Sequence, residues 1–199
     1  MTRFRERLRE ALALRAGRPA ERPDGAIEAA VALLIREAPA LELLLIQRAE
    51  LAGDPWSGHI ALPGGRREVE DRDLLATAMR EAEEELGAAV RRHGDPLGGL
   101  PEIAPSSPRL PPIVVAPFVI SVPPGIALNP NPREVQEAFW VPLRRLRRAD
   151  AETEVVLEDG PEPRRFPGIR HERHTVWGLT LRALHSFFEV VDVVEGGDS

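Results

Sequence analysis

The stretch "AMREAEEELG", residues 78–87, combines apolar residues at helical spacing with four glutamates among five positions. This spacing predicts a helix from about Asp73 to Leu86, and Gly87 stands where a left-handed C-cap is usual. The segment "HIALPGG" before it predicts a short strand that runs into a tight turn at the two glycines. Strand, turn and acidic helix therefore form one predicted unit, and the rest of the chain must supply the remaining sheet.

A helical wheel divides this helix into an apolar stripe and an acidic arc. With Ala82 at zero, the side chains of the predicted buried stripe fall between about 20° and 60°; they are Leu75, Met79 and Leu86. Three glutamates fall between about 200° and 300°; they are Glu81, Glu84 and Glu85. Glu83 falls near about 100°, on the other side. The wheel therefore predicts that three of the four carboxylates converge.

This concentration of charge requires a compensating partner. Like charges three or four residues apart destabilise a helix by roughly 0.2–0.5 kcal/mol per pair. Arg80, four residues before Glu84, can offset part of this repulsion. A divalent cation would offset more, and clusters of carboxylate oxygens suit Mg²⁺ or Mn²⁺. The alternative interpretation is a solvated acidic face without a ligand.

Length and composition limit the possible classes of protein. A chain of 199 residues is long enough for one well-buried domain. The formal charge of −6 and the absence of a basic face argue against a nucleic-acid partner. No apolar run reaches the roughly 18 residues that span a bilayer, so no membrane partner is expected. The chain has no cysteine, which excludes disulfides and thiolate catalysis.

The pattern of elements predicts an α/β sandwich with a mixed β-sheet. The arginine-rich N-terminus is interpreted as an amphipathic helix rather than a transit peptide, so a cytoplasmic location is expected. We expect an N-terminal helix and linker at residues 1–24, one domain at residues 25–195 and a disordered tail at residues 196–199. The expected strands are residues 26–37, 41–48, 113–122 and 134–143, followed by a hairpin from residues 153–160 and 164–169 and a final helix at residues 176–191.

The acidic helix resembles the second half of the Nudix box, which reads G-x5-E-x7-R-E-U-x-E-E-x-G-U, where U is apolar. "REAEEELGA", residues 80–88, matches it at every defined position. The first half departs, because Arg66 and Arg72 stand where the box has glycine and glutamate. One extra residue aligns Gly65 and Asp71 instead, and this expansion is similar to the coenzyme A diphosphatase branch of the family. The resemblance thus implies a Nudix-type α/β/α fold.

The resemblance also implies roles for individual residues. Glu81, Glu84 and Glu85 would hold Mg²⁺ or Mn²⁺ and orient or deprotonate water, and Gly65 would offer a backbone carbonyl to the metal. Arg80 would orient the glutamates through its fork of donors. Asp71 would be a cap or a box-stabilising acid rather than a ligand.

The segment "LLIQRAELAGDPWSGHIALPGG" resembles the upstream signature of the same branch and implies that Arg48, Trp56 and Gly64 bind substrate. The branch's threonine, serine and histidine are replaced by Ile46, Ala49 and Trp56, and His59 is not in register with the branch histidine. Trp56 could stack on a base or on pantetheine, or it could cap the core.

Several further residues are candidates for the site, each with a structural alternative. Glu134 and Glu137 follow the predicted loop "PPGIALNPNP", residues 123–132, where the branch can carry an additional carboxylate on the metal side. His171 and His174 lie near the final helix. Because histidine as a residue type titrates near neutrality, either could meet a phosphate or act as a base. Trp140 is expected in the core.

The predicted function is metal-dependent hydrolysis of the diphosphate bond in a nucleoside-diphosphate-linked substrate. Coenzyme A or a derivative is the favoured substrate, which would give adenosine 3′,5′-bisphosphate and a phosphopantetheine. The alternatives are the same chemistry on ADP-ribose, dinucleotides or nucleoside triphosphates, and a Nudix-fold module that binds a nucleotide without turnover. A homodimer is possible, since many Nudix proteins dimerise.

Overall fold

A computed structural model describes residues 3–15, 19–51, 53, 56–105, 112–158 and 162–196. Its larger sheet has seven strands, with β3, β2, β1, β6 and β5 in that order and with β4 and β7 paired to β1 and β2. The strands are β1 Ile27–Glu37, β2 Leu41–Arg48, β3 Ile60–Ala61, β4 Gly64–Arg66, β5 Asp95–Gly99, β6 Ile113–Ser121 and β7 Val135–Pro142.

The sheet is mixed, as expected, because β1 and β6 run parallel while the other pairs are antiparallel. Successive residues of a strand point to opposite faces, so β1 and β2 supply two separate cores. Leu33, Leu43 and Leu45 contribute to one core, and Leu34 and Leu44 contribute to the other.

Helices cover both faces of this sheet. The helices are α1 Arg3–Leu14, α2 Leu74–Leu86, α3 Val90–His93, α4 Leu143–Leu146 and α5 Gly178–Gly196. α1 and α5 pack on the face that carries Leu33, whereas α2 packs on the opposite face. The predicted three-layer α/β/α sandwich is thereby confirmed.

A smaller three-stranded antiparallel sheet completes the fold. It consists of β8 Glu152–Leu157, β9 Arg164–His171 and β10 His174–Trp177, with β9 in the centre. Ile169 and Val176 on its inner side join the core beneath α1 and α5. The predicted hairpin is confirmed, although the middle of its turn, residues 159–161, lies outside the described residues.

Two predicted boundaries at the C-terminal end differ from the structure, and one strand after α2 was not predicted. Val176 and Trp177 belong to β10, so the final helix begins at Gly178. Helix α5 extends through Gly196, the first residue of the predicted tail, while residues 197–199 lie outside the described part. Strand β5 was missed because "DPLGG" has no strand propensity, and its pairing with β6 overrides that composition.

The N-terminal helix packs into the main core. Leu8 and Leu12 of α1 are buried in the same cluster as Leu97 and Phe187. Arg9 fixes the helix to β5 through a 2.7 Å hydrogen bond to the Pro96 carbonyl. None of the helices within the described ranges combines the length and apolar composition needed to cross a bilayer.

Candidate active site

Helix α2 begins and ends close to the predicted positions. Asp73 is the N-cap, and its Oδ1 accepts a 2.7 Å hydrogen bond from the Ala76 N–H. Gly87 ends the helix in the left-handed conformation, with φ of 58°. A side chain at Gly87 would also collide with the Asn129 carbonyl, 2.5 Å from the Cβ position. Both ends of the acidic helix are therefore fixed by local chemistry.

The buried face of α2 differs from the predicted stripe. Leu86 is buried as expected, but Leu75 and Met79 are only half-buried, and Ala82 is buried in addition. Glu85 is 3% exposed and lies within the buried face, together with Ala78. The wheel assumed that apolar residues define the inward direction, whereas the helix is rotated so that part of the acidic arc faces the sheet. The prediction that the three glutamates form an arc separate from the core is therefore wrong for Glu85.

The two glycines before α2 bring backbone close to the carboxylates. Gly64 and Gly65 pair with Val31 and Ala30 of β1. A Cβ atom at Gly64 would stand 2.3 Å from the Ala30 carbonyl oxygen, and one at Gly65 would stand 2.4 Å from the Glu81 carboxylate. The clash at Gly64 is with backbone, so this approach of strand and helix requires glycine there, whereas a side chain at Gly65 would displace the Glu81 carboxylate.

The Glu85 carboxylate lies beneath this turn. Its Oε2 accepts a 2.9 Å hydrogen bond from the Gly64 N–H, and its Oε1 lies 4.0 Å from Nη1 of Arg48. Burial raises the pKa of Glu85 to about 8, and the neighbouring charges of Glu81 and Glu134 add to the increase. The hydrogen bond from Gly64 and the charge of Arg48 oppose this increase only in part, so burial dominates the environment of the Glu85 carboxylate.

Arg80 organises the other carboxylates. Its Nε and Nη2 donate to Asp71 at 3.0 and 2.9 Å, and its Nη1 lies 3.0 Å from Glu84 and 3.1 Å from Glu81. Nη2 also donates to the Arg66 carbonyl. A planar fork of donors is required to serve these groups at once.

Asp71 anchors Arg80 from the buried side. It accepts hydrogen bonds from Thr77 Oγ1 and the Glu68 N–H, both at 2.9 Å. These contacts, led by the Arg80 hydrogen bonds, hold the pKa of Asp71 well below its ordinary value despite burial. The N-cap is Asp73, so the capping alternative for Asp71 is wrong, and its geometry is that of an acid that stabilises the box.

The three predicted metal-binding glutamates occupy different environments. Glu84 is exposed, Glu81 is half-buried with its pKa raised by burial, and Glu85 is buried. Across the described ranges, no three His, Asp or Glu side chains lie close enough to hold an ion in their present rotamers. The predicted convergence is therefore incomplete, because the Arg80 guanidinium lies against both Glu81 and Glu84.

A loop after β6 adds a fourth carboxylate to this region. The Asn131 N–H donates to the Glu85 carbonyl at 2.8 Å, and Asn131 Nδ2 donates to Glu134 Oε1 at 3.0 Å. The charge of Glu134 contributes to the raised pKa of both Glu81 and Glu85. Glu134 was among the sequence candidates, but Asn131 was missed, since only tertiary structure brings its backbone to the end of α2.

The other predicted residues on that strand lie elsewhere. Glu137 accepts a hydrogen bond from Arg173 and lies 3.3 Å from Nε2 of the buried His174. His174 stacks on Phe139, a residue of the core beneath α1 and α5, so this group is on the face opposite α2. His171 pairs with His174 across β9 and β10.

Trp140, on the same strand β7, lies on the α2 face and is only half-buried. The Arg36 guanidinium lies 4.1 Å from the centroid of its ring. The prediction of a core position thus holds only in part.

Two of the predicted substrate-binding residues, Arg48 and Trp56, are linked through the backbone of His59. Arg48 faces Glu85 from the end of β2, and its N–H donates to the His59 carbonyl at 3.0 Å. The His59 N–H donates to the Trp56 carbonyl at 3.2 Å, which closes the turn that carries Trp56. Pro55, the expected neighbour of Trp56 in its capping role, lies outside the described residues.

Comparisons with known proteins agree with this geometry. Residues 26–159 match the NUDIX domain family. An uncharacterized Nudix hydrolase, NudL, of Photorhabdus laumondii is 32% identical over 88% of this chain and 90% of its own length. The mitochondrial coenzyme A diphosphatase NUDT8 of Homo sapiens is 33% identical over 87% of this chain and 72% of its own.

A solved structure of a MutT/nudix family protein from Enterococcus faecalis shares the fold, with a TM-score of 0.56 and 20% identity. It matches over 87% of this chain and 65% of its own. The family match and these relatives confirm both resemblances drawn from residues 63–88, including the one to the coenzyme A diphosphatase branch. The chain belongs to the Nudix family and is a hydrolase of pyrophosphate bonds.

Proposed function

We propose that this enzyme uses a divalent cation to hydrolyse the diphosphate bond of coenzyme A or one of its derivatives. The observation that carries the proposal is the buried Glu85 carboxylate, held by the Gly64 N–H beneath a turn that only glycine can form. A buried carboxylate is costly to ionise without a partner. Its place beside Glu81 and Glu134 makes a cation the fitting partner.

The residues present fit Mg²⁺ or Mn²⁺. Glu81 and Glu85 offer carboxylate oxygens from the half-buried and buried sides of α2, and Gly65 offers backbone next to the Glu81 carboxylate. Glu84 supplies a third carboxylate at the exposed edge. These are the hard oxygen donors that both ions prefer. A bound ion would neutralise diphosphate charge and lower the pKa of water.

The protein groups around these carboxylates have positioning tasks. Arg80, fixed by Asp71, restrains Glu81 and Glu84 and limits the directions in which their oxygens can point. Arg48 lies near Glu85, where its guanidinium can meet a phosphate oxygen. Glu134, held by Asn131, is a second exposed carboxylate that can accept a proton from water at the edge of the site.

The choice of coenzyme A is supported by the named activity of the human and mouse relatives and by the upstream segment that carries Arg48, Gly64 and Gly65. Ile46 and Ala49 replace polar residues of the branch signature, so substrate selection must rely on other side chains of this chain. ADP-ribose, dinucleotides and nucleoside triphosphates present the same reacting group and are the competing substrates.

The test is product release from coenzyme A, acyl-CoA, ADP-ribose, dinucleotides and nucleoside triphosphates, with Mg²⁺ and then Mn²⁺. We expect the highest kcat/KM for coenzyme A or an acyl-CoA, with no turnover in a chelator. Preference for another compound would refute the substrate assignment but retain the chemistry. Absence of turnover by folded protein, with a nucleotide still bound by the Glu84→Gln variant, would indicate a binding module instead.

A further inference from the structure

A line of side chains leads from the candidate metal site to the small sheet. Arg48 and His59 face each other on β2 and the segment that enters β3, and their backbones are joined by the 3.0 Å hydrogen bond. Residues directly opposite on paired strands project from the same face of a sheet. The Arg48 guanidinium lies 4.0 Å from the Glu85 carboxylate, so His59 adjoins a residue of the candidate metal site.

Aromatic rings continue this line beyond His59. The centroid of the His59 ring lies 4.9 Å from that of Trp177, and the Trp177 centroid lies 5.6 Å from that of Phe166. The Arg164 guanidinium lies over Phe166, 5.5 Å from the ring centroid. Trp177 and Phe166 are half-buried, so each ring retains solvent-accessible surface. We call these four residues, His59, Trp177, Phe166 and Arg164, the aromatic track.

Most of the track lies outside the part of the chain that defines the family. The family match ends at residue 159, whereas Arg164 and Phe166 lie on β9 and Trp177 ends β10. Only His59 comes from the matched region, and it is the residue through which the track adjoins Arg48. The small sheet thus adds aromatic side chains next to the end of the strand that carries Arg48.

We propose that the aromatic track is the subsite for the nucleobase of the substrate. The proposal rests on the proposed function, because the diphosphate must lie at Glu85 and Arg48 for the attached nucleoside to reach His59 and Trp177. Flat aromatic side chains can stack on any nucleobase, because every base has a π-face. The Arg164 guanidinium over Phe166 adds a cation at that end of the track, and cation–π contacts of arginine contribute to the binding of bases.

The test compares two diphosphates that differ in the presence of a nucleoside. Binding of α,β-methylene-ADP, which resists hydrolysis between its phosphates, and of inorganic pyrophosphate is measured by isothermal titration calorimetry with Mg²⁺. The Trp177→Leu variant loses a stacking surface for the base, so its Kd for α,β-methylene-ADP should rise about tenfold. The Kd of pyrophosphate should stay within about twofold, since pyrophosphate does not reach the track.

Trp140→Leu is the matched control. Trp140 is also a half-buried tryptophan, but it lies on the α2 face opposite Leu44, four residues before Arg48 on β2, with the Arg36 guanidinium over its ring. This variant should leave both Kd values unchanged, and Trp177→Phe should restore most of the nucleotide affinity. Unchanged α,β-methylene-ADP binding in Trp177→Leu, or equal weakening of both ligands, would overturn the proposal.

A separate hydrolysis assay distinguishes failure of the subsite from failure of the proposed function. Nucleotide binding that depends on Trp177 in a protein without turnover would retain the subsite and refute the activity. Turnover of coenzyme A with a KM that is unaffected by Trp177→Leu would refute the subsite and retain the activity.

Discussion

The two faces of the large sheet are packed in different ways. Beneath α1 and α5 the core consists of large side chains, among them Leu33, Leu45, Leu184 and Phe187. Beneath α2 alanines occupy many of the contact positions, and polar groups are buried beside them; the alanines include Ala30, Ala32, Ala78, Ala82 and Ala116. One face therefore supplies apolar burial, while the other lets helix and sheet approach closely enough to enclose Glu85.

The two faces of the sheet therefore have different roles: the core beneath α1 and α5 contributes stability, and the face beneath α2 holds the candidate site. Deep apolar packing contributes folding free energy in proportion to the area buried. A buried carboxylate such as Glu85, or the buried Asp71 with its hydrogen-bonded arginine, contributes at best a small net stability. We infer that the core beneath α1 and α5 compensates for the cost of the charged face.

The largest expected effect on stability is on the apolar face. Phe187→Ala removes a fully buried ring and should lower the free energy of unfolding by about 3–5 kcal/mol. Urea denaturation monitored by circular dichroism measures this loss. Phe188→Ala is the control, because its ring is only partly buried and the loss should be smaller. Equal losses for the two variants would show that the loss does not follow burial, which would contradict the stabilising role assigned to this apolar core.

The next effect concerns the charged face and depends on pH. The folded protein keeps a proton on Glu85 up to about pH 8, whereas an unfolded glutamate releases it near pH 4.5. The folded state therefore binds more protons in this interval, and metal-free stability should fall as pH rises through it. Glu85→Gln removes this dependence. At pH 9 the variant should be more stable than wild type by a few kcal/mol, which is the order of free energy that corresponds to the raised pKa of Glu85.

Thermal unfolding in a chelator at pH 6 and pH 9 measures this dependence. Glu83→Gln is the matched control, because Glu83 lies on the other side of α2 and is bound by the Arg91 backbone and side chain. Mg²⁺ should restore wild-type stability at pH 9. A wild-type Tm that does not change between the two pH values would exclude a costly Glu85 charge.

A smaller effect is expected for Arg80→Lys. A lysine cannot donate simultaneously to Asp71, Glu84 and the Arg66 carbonyl, so the carboxylates lose their restraint. We expect kcat at saturating metal to fall about 10- to 100-fold, the range for outer partners of metal ligands. Arg91→Lys, on the side of Glu83, should retain the wild-type rate. Retention of full activity by Arg80→Lys would show that Arg80 is not a positioning residue.

The smallest effect is expected at the helix cap. Asp73→Ala removes the hydrogen bond to the Ala76 N–H and should cost about 1 kcal/mol of stability. Activity at 25 °C should not change, because Asp73 is exposed and its contacts are with neighbouring residues of the chain, Arg72, Ala76 and Thr77. A chemical denaturation curve together with a rate assay checks both parts. A loss of rate as large as that of Arg80→Lys would place Asp73 in the site instead.

Much of the fold was predictable because its signals are local. The apolar runs of β1 and β2, the central strand β6, and the cap residues Asp73 and Gly87 each follow from their own residue types. Strand β5, the start of α5 and the rotation of α2 were not predictable in this way. They depend on pairing with β6 and β9 and on packing against alanines, which are contacts between distant parts of the chain.

The site shows the same division. The spacing of Arg80, Glu81, Glu84 and Glu85 identified the family, since the chemistry constrains that spacing. The burial of Glu85 and the contribution of Asn131 were not visible in the sequence, because both depend on tertiary structure. Asp71 was assigned two alternatives, and only its contacts with Arg80 and Thr77 distinguish them.

The most direct test of the central claim is the rate of hydrolysis of the best substrate as a function of Mn²⁺ concentration. It compares wild type with two variants of the same helix, Glu85→Gln and Glu83→Gln. We predict that Glu83→Gln keeps its rate within about twofold, while Glu85→Gln loses at least about 100-fold at every Mn²⁺ concentration. A Glu85→Gln variant with a near wild-type, Mn²⁺-dependent rate would contradict the assignment of the buried face of α2 as the catalytic centre.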